Sequence, residues 1–405
     1  MTAETLKFER TVNAPAFQVY RAFTRGTAFR EWFCDAALAE ARPGGRLYFW
    51  WNTGYYASGE FIALTEGQHV AFTWHGRDEP ATTRVQVVLE PHDAGTRFTL
   101  THSDIGSGEE WVEAVKQFKR GWEVGLENLQ SVLETGQDLR YVRRPMLGVT
   151  IGEFNAEIAA ELGVPVTEAI RLDGVIEGMG AAAAGLRKDD VIVGIGGVEV
   201  TTWPTLSNAL QPHRAGDRVD VVFYRGAEKK RVTMELSPRP LPDVPPTPED
   251  LAAAVRQSYE ELDAELTTFI AGLSEEAASY RPAPDEWNVK ETLAHLIAGE
   301  RGFQGWLADL INDDDPMYDR WENPSTVPAR LKATLEAYPT LSALLEELKR
   351  SKAETLSMLS ALPPEFVARK GSYIRLGYYL LEMPGFHTRQ HLEQMRQAVA
   401  AAQSQ

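Results

Sequence analysis

The sequence predicts a multidomain α+β chain in which two strand-bearing domains precede an all-helical one. Three observations carry that expectation. Apolar and polar residues alternate in short runs between positions 46 and 101, the period of an antiparallel sheet. A second strand-rich pattern begins after position 144, and from position 248 onward apolar residues recur at steps of three and four, the period of amphipathic helices. Between the last two patterns stand Pro238, Pro240, Pro242, Pro245, Pro246 and Pro248. That density excludes helix and sheet ladder alike and makes a semi-rigid extended spacer. A softer seam lies between 134 and 144, where a long helical pattern ends in TGQD and RYVRRP begins the next. The division expected is therefore 1–140, 141–238, a linker 239–247, and 248–405, each domain of ordinary size.

Composition bounds the function. The chain has 405 residues, 43% of them hydrophobic, enough for a core in each domain. The net charge of −17 falls mostly after residue 240, which argues against nucleic-acid binding. A single cysteine, Cys34, excludes any intrachain disulfide and fits a reducing compartment. The start, MTAETLKFERTV, lacks a basic segment followed by an apolar one, and no apolar run is long enough to span a bilayer, so a cytoplasmic protein with no membrane partner is expected. No phosphate-binding G-x-x-x-x-G-K occurs, and Gly194, Gly196 and Gly197 belong to a strand turn.

In the first domain, strands are expected at 46–51, 59–63, 69–74, 84–89 and 96–101, with short helices near 15–23. From Trp111 onward Val115, Phe118, Trp122, Leu126, Leu129 and Leu133 lay one apolar stripe along a helix that must lie across the sheet. APAFQVYRAFT, EWF, RPGGRLYF, a strand ending TWH, GTRFTLTH and the GW of the last helix together resemble the START-like, helix-grip superfamily (SRPBCC). The branch is the one similar to activators of the heat-shock chaperone ATPase, and the resemblance spans 5–137. It implies an apolar pocket for a small hydrophobic ligand, lined by Phe49, Trp51, Tyr55, Phe72, Trp74, Trp111, Phe118 and Trp122. The same aromatics on inward positions also suit a filled core, and alternation does not separate the two. His75 and His102 have no carboxylate or cysteine at ligand spacing and read as surface or rim residues.

The middle domain carries MLGVTIGEF, DGVIEGMGAAAAGLRKDDVIVGIGGVEV, a helix over 202–210 and GDRVDVVFYRGAEKKRVTMEL. Together they resemble a PDZ domain, β-barrel-like, of the bacterial protease-associated type. The resemblance implies that the backbone of Leu147, Gly148 and Val149 receives the terminal carboxylate of a peptide. The strand towards Ile151 would then pair with that peptide, and Leu206 and Leu210 would wall the groove. Pro204 is tolerated in a first helical turn. One departure is Asp189-Asp190 where the pattern has Gly-Asp, which puts aspartate at a position favouring a left-handed backbone. Peptide capture and a purely structural docking role both remain open, and no Ser-His-Asp protease pattern accompanies the domain.

The last domain offers amphipathic helices near 248–273, 288–311, 340–361 and 373–400, the pattern of a four-helix bundle. On the second, Val289, Leu293, Leu296, Phe303 and Leu307 form the buried stripe, with His295 to one side. His387 and His391, four apart in HTRQH, project from one face of the last helix, on a stripe shared with Leu380, Leu381 and Met395. Three imidazoles from two helices could share one metal ion and leave coordination positions open, the mark of a catalytic rather than a structural site. A satisfied structural cluster is the plainer alternative. Trp287, then HL, then Glu300 five residues beyond the histidine, resemble the DinB-like family. That family implies a divalent metal, mostly zinc or nickel, on His295, His387 and His391, and its members include thiol S-transferases of bacterial low-molecular-weight thiols. Glu300 lies within the stripe and needs a partner: a ligand histidine, Arg301 or a neighbouring helix. The loop 312–328, with Tyr318 and Trp321, is long enough to cover the cleft. Pro384-Gly385 is expected to break or restart the last helix.

Two function classes follow. One is a metal-dependent transferase or hydrolase whose pocket and groove recruit substrate or partner. The other is a non-catalytic adaptor that binds a small hydrophobic ligand and protein C-termini, with a structural metal.

Overall fold

The structure, a computed structural model, describes residues 4–93, 95–284, 286–315 and 327–403. The expected cover over the cleft by Tyr318 and Trp321 lies outside the described residues. The chain divides into two compact units, one of residues 1–138 with 242–405 and one of residues 139–241. It has a sheet domain, a second β domain and an all-α bundle, the multidomain α+β class expected.

The larger unit begins with β1 (Glu4–Val12), α1 (Ala16–Ala22), α2 (Gly26–Trp32), β2 (Ala36–Ala39), β3 (Arg46–Trp50), β4 (Tyr56–Thr65), β5 (His69–Gly76), β6 (Thr83–His92), β7 (Gly95–Ile105) and α3 (Val112–Thr135). The strands form one antiparallel sheet in the order β1-β7-β6-β5-β4-β3-β2. The two outermost strands were not among those expected. β2 has only four residues, too few for a periodic signal, and β1 alternates charged with apolar residues at an edge. On α3 the expected stripe is buried: Phe118, Trp122, Leu126, Leu129 and Leu133 pack onto the sheet core. The helix stops at Gly136, whose φ of 78° is the left-handed conformation that glycine takes at helix ends.

The smaller unit contains α4 (Leu139–Val142), β8 (Val149–Gly152), α5 (Ala156–Leu162), β9 (Ile170–Val175), α6 (Gly180–Ala183), β10 (Val191–Ile195), β11 (Val198–Glu199), α7 (Trp203–Leu210), β12 (Arg218–Arg225) and β13 (Glu228–Glu235). The sheet order is β13-β12-β10-β9-β8, with β11 paired to β10 and β8 at an edge. Pro204 sits in the first turn of α7, where its missing N–H has no intrahelical partner to lose. Asp189 does adopt the left-handed backbone, at φ 67°, and its carboxylate accepts from Arg171 Nη1 at 2.7 Å. That ion pair offsets part of the conformational cost. Asp189→Ala should therefore destabilise this unit by about 1–2 kcal/mol, because strain stays and the pair is lost, whereas Asp189→Gly should stay within about 0.5 kcal/mol. Chemical denaturation of the two variants checks this, and equal losses would contradict it.

The bundle completes the larger unit with α8 (Pro248–Ile270), α9 (Glu275–Ser279), α10 (Val289–Ile311), α11 (Val327–Ala337), α12 (Leu341–Ser360), α13 (Pro364–Val367) and α14 (Lys370–Gln403). The four long helices pack in the ring α8–α12–α10–α14. Starts are set by local chemistry: Thr247 caps α8 ahead of Pro248, and Asn288 with Glu291 forms a reciprocal capping box at α10. The expected break at Pro384-Gly385 does not occur, since α14 is one helix with Pro384 inside it. A proline removes one intrahelical hydrogen bond. Here burial of Leu376 and Leu380 before it and of Leu392 and Met395 after it packs both halves into the core.

Sheet domain and bundle meet through charge. Arg21 on α1 donates to Glu31 Oε1 at 2.8 Å and, through Nε and Nη2, to both oxygens of Asp313 at 2.6 to 3.0 Å. Ser372 of α14 donates to Glu31, and Arg369 lies 3.3 Å from Asp313. A second group joins Arg30 of α2 to Asp315 and Asp315 to Arg375 of α14, each at 2.6 Å.

Candidate metal centre

α10 and α14 bring the three expected histidines together. The Nε2 atom of His387 lies 3.2 Å from Nε2 of His295 and 3.1 Å from Nε2 of His391, and the three donor atoms all fall within 4.8 Å of one another. The i, i+4 spacing of HTRQH stacks two rings on one face of α14. His295 meets them because it sits beside, and not within, the stripe of Val289, Leu293, Leu296, Phe303 and Leu307, all of which are buried. Trp287 covers the cluster, its ring centroid 4.8 Å from that of His295 and 6.2 Å from that of His391.

The electrostatics favour neutral imidazoles. Burial, then the neighbouring His391 and His387, pushes His295 down to about 4. Burial and His391 push His387 down to about 4 as well. At neutral pH both rings are uncharged, which is the form that binds a metal. The donor spacing also fits an ion: nitrogens 3.1 and 3.2 Å apart and each about 2.0–2.1 Å from a shared centre subtend roughly 100°, between octahedral and tetrahedral values.

Glu300 does not orient a histidine. Its Oε1 accepts from the Tyr259 hydroxyl at 2.9 Å and from Thr355, so the neighbouring-helix alternative is the one found, with α8 and α12 as partners. Burial raises its pKa, and the two hydrogen bonds oppose the rise. Arg301 instead pairs with Glu347 at 2.6 Å. The sequence reading missed Gln394, whose Oε1 lies 2.9 Å from Nδ1 of His391. Its position three residues after the histidine was the available signal.

In the sheet domain the aromatics expected to line a pocket pack on one another. Phe49 stacks on Trp74 with centroids 5.6 Å apart and Trp51 tilts against Tyr55 at 5.3 Å. Trp122 stacks on Phe33 at 5.2 Å and Phe118 lies 4.3 Å from the His102 ring. Phe72 and Trp111 are buried in the same cluster. His75 is exposed as expected, but His102 is a core residue with no exposed surface. The reason is register: Thr96, Phe98, Leu100 and His102 alternate onto the inward face of β7.

In the smaller unit Leu147 is buried, and the next residue, Gly148, has φ 78°. A Cβ at 148 would lie 2.3 Å from Cβ of Met179, so only glycine fits this loop. Val149 and Ile151 lie on the edge strand β8, with Ile151 40% exposed. Leu206 and Leu210 are buried in the same cluster as Leu147, and so serve the core of the unit on this side of α7.

The fold and the clustered histidines define a three-domain chain that joins a sheet-and-helix domain and an edge-strand β domain to a bundle with a candidate metal centre. Comparison with known families gives each part its kin. Residues 13–134 match the family described as activator of Hsp90 ATPase homolog 1-like protein, residues 142–236 match the PDZ domain, and residues 258–395 match the DinB superfamily. Solved structures similar to the chain include the Aha1 dimer from Colwellia psychrerythraea, 19% identical, covering 32% of this chain and 96% of that one at a TM-score of 0.30. Another is an HSP90 activator from Plasmodium falciparum, 23% identical, covering 32% and 95% at a TM-score of 0.29. Among curated proteins, the serine protease Do-like HtrA of Lactococcus lactis subsp. lactis is 27% identical over 148 residues, 35% of this chain and 36% of that protein. A probable periplasmic serine endoprotease, DegP-like, of Chlamydia muridarum is 31% identical over 102 residues, 25% of this chain and 20% of that protein. The chain thus spans about a third or less of the length of these curated relatives. Among the described residues no helix is long and apolar enough to cross a membrane.

Proposed function

We propose that the chain is a divalent-metal-dependent transferase or hydrolase whose bundle holds zinc or nickel on His295, His387 and His391. The observation that supports this reading most is that His295 and His391, from two helices, each bring Nε2 within 3.2 Å of Nε2 of His387, with the three donor atoms all within 4.8 Å of one another. Three neutral ligands leave room for an exogenous molecule beside them. An ion there would lower the pKa of a bound water or thiol, supplying a nucleophile near neutral pH. The protein's own contribution is to keep His295 and His387 uncharged by burial and to shield one side with Trp287. A low-molecular-weight thiol is the co-substrate the DinB resemblance favours. The edge strand β8 and the loop at Gly148 support recruitment of a protein C-terminus by strand addition, while a small hydrophobic ligand for the sheet domain rests on its resemblance alone, since its aromatics pack on one another. With one cysteine and no intrachain disulfide, we place this activity in the cytoplasm.

The test is metal content in protein purified without chelator or histidine tag, compared with His391→Ala. Near-stoichiometric zinc or nickel in the wild type, lost in the variant, is expected. A wild type that takes up neither metal even on incubation would remove the enzyme reading and leave the non-catalytic adaptor.

A further inference from the structure

We propose that Gln394 is a positioning residue, fixing His391 as its Nδ1–H tautomer so that the Nε2 lone pair faces the triad. This rests on the metal reading of the three histidines and adds to it the element that prepares one ligand in advance. Side chains on a helix lean towards its N-terminus, so the residue one turn beyond His391 is the one placed to reach back over it. Gln394 does so: its amide oxygen stands 2.9 Å from Nδ1. An amide oxygen only accepts, so the proton of that hydrogen bond belongs to the imidazole. With Nδ1 protonated, the neutral ring carries its lone pair on Nε2, the atom 3.1 Å from Nε2 of His387.

The opposite amide orientation would reverse everything downstream. A donor on Nδ1 would move the ring proton to Nε2 and aim it at His387, where it would oppose an ion instead of binding one. Only the first orientation is compatible with three ligands meeting at one point. Gln394 is half-buried, and its neighbours Leu392 and Met395 anchor that turn of α14 in the core. The amide is therefore carried by a well-packed stretch of backbone. It is neutral, so it sets the direction of the proton without adding charge beside the site. A carboxylate at the same place would accept the same hydrogen bond more strongly.

The experiment uses the full chain with nitrogen-15 histidine, metal-free, near neutral pH, and reads the His391 tautomer from long-range proton–nitrogen correlations. The same samples are then titrated with zinc against a chromophoric chelator. The variants are Gln394→Met, which keeps length and removes the acceptor, and Gln394→Glu, which keeps the acceptor. The wild type should show His391 protonated at Nδ1. Gln394→Met should shift it towards the Nε2–H form and weaken zinc binding by about 10–100-fold. Gln394→Glu should restore both, a rescue that a merely structural role for the glutamine would not produce. An unchanged tautomer and unchanged affinity in Gln394→Met would overturn the proposal. If the wild type bound no zinc, the metal reading itself would fall, while the tautomer measurement on the metal-free protein would still decide what Gln394 does.

Discussion

Replacing Arg21 with Met is expected to lower the unfolding free energy of the larger unit by about 3–5 kcal/mol, the cost of removing one partner from a buried ion pair. The Arg21 side chain is 15% exposed and that of Glu31 is 5% exposed, so solvent screens neither. Burial works against the guanidinium charge, and Glu31 and Asp313 overcome it, holding Arg21 above its ordinary value. Without Arg21, Asp313 keeps Arg369 at 3.3 Å, while Glu31 keeps only the hydroxyl of Ser372 among the partners described above. The uncompensated charge is therefore Glu31. Arg21→Met combined with Glu31→Gln should recover much of the loss, and the double-mutant cycle isolates the pair. Urea unfolding followed by tryptophan fluorescence and by helical circular dichroism should show both signals moving together. A loss under about 1 kcal/mol, or one confined to the helical signal, would refute the idea that these charges bind sheet domain to bundle.

Acid should find a second weak point in the sheet core. Trp122 Nε1–H donates to Nδ1 of His102 at 3.1 Å, which places the ring proton on Nε2, 2.7 Å from the Thr83 hydroxyl. That hydroxyl in turn donates to the carbonyl of Trp74 at 3.1 Å. Burial pushes His102 down to about 3, and a second proton on the ring would also confront the indole N–H of Trp122. Because the folded value lies below the ordinary 6.5, the unfolded chain binds a proton that the folded one refuses. Stability from this residue is complete above about pH 6.5. It falls by about 1.4 kcal/mol for each pH unit below that, until about pH 3. His102→Gln removes the titration. Its stability should fall less steeply than that of the wild type between about pH 6 and 4, by that slope. Parallel curves would show that the ring is not the group responsible.

Much of the fold was legible because it rests on local periodicity. The stripe of α3 and the pairing of His387 with His391 follow from helical spacing alone, and the capping box at Asn288 marks where the helix of His295 begins. His102 was also legible, since alternation along β7 already carried it inward; reading it as a rim residue weighed its polarity above its register. Pro384 misled for the opposite reason. A local breaker was overridden by tertiary burial on both sides of it. The contacts between sheet domain and bundle could not be read at all, because Arg21 meets a residue 292 positions away and Glu31 one 341 positions away. No period spans such distances. Glu300 showed that it needed a partner, but not which one, since Tyr259 and Thr355 reach it only once α8 and α12 are packed.

The continuity of α14 has a mechanical corollary. Its first turn is bound into the sheet domain: Lys370 Nζ donates to the carbonyl of Glu134 at 2.6 Å, and a Cβ on Gly371 would collide with Val132 and Glu31. His387 lies 16 residues beyond Gly371 on the same helix, or roughly 24 Å at the rise of an α-helix. The sheet domain and the histidines are thus opposite ends of a single lever, with Pro384 as the place where it bends most readily. If an occupant of the sheet domain tilted the near end, an ion on the histidines would feel it only as far as this helix transmits the tilt, and the coupling free energy would be the same in both directions.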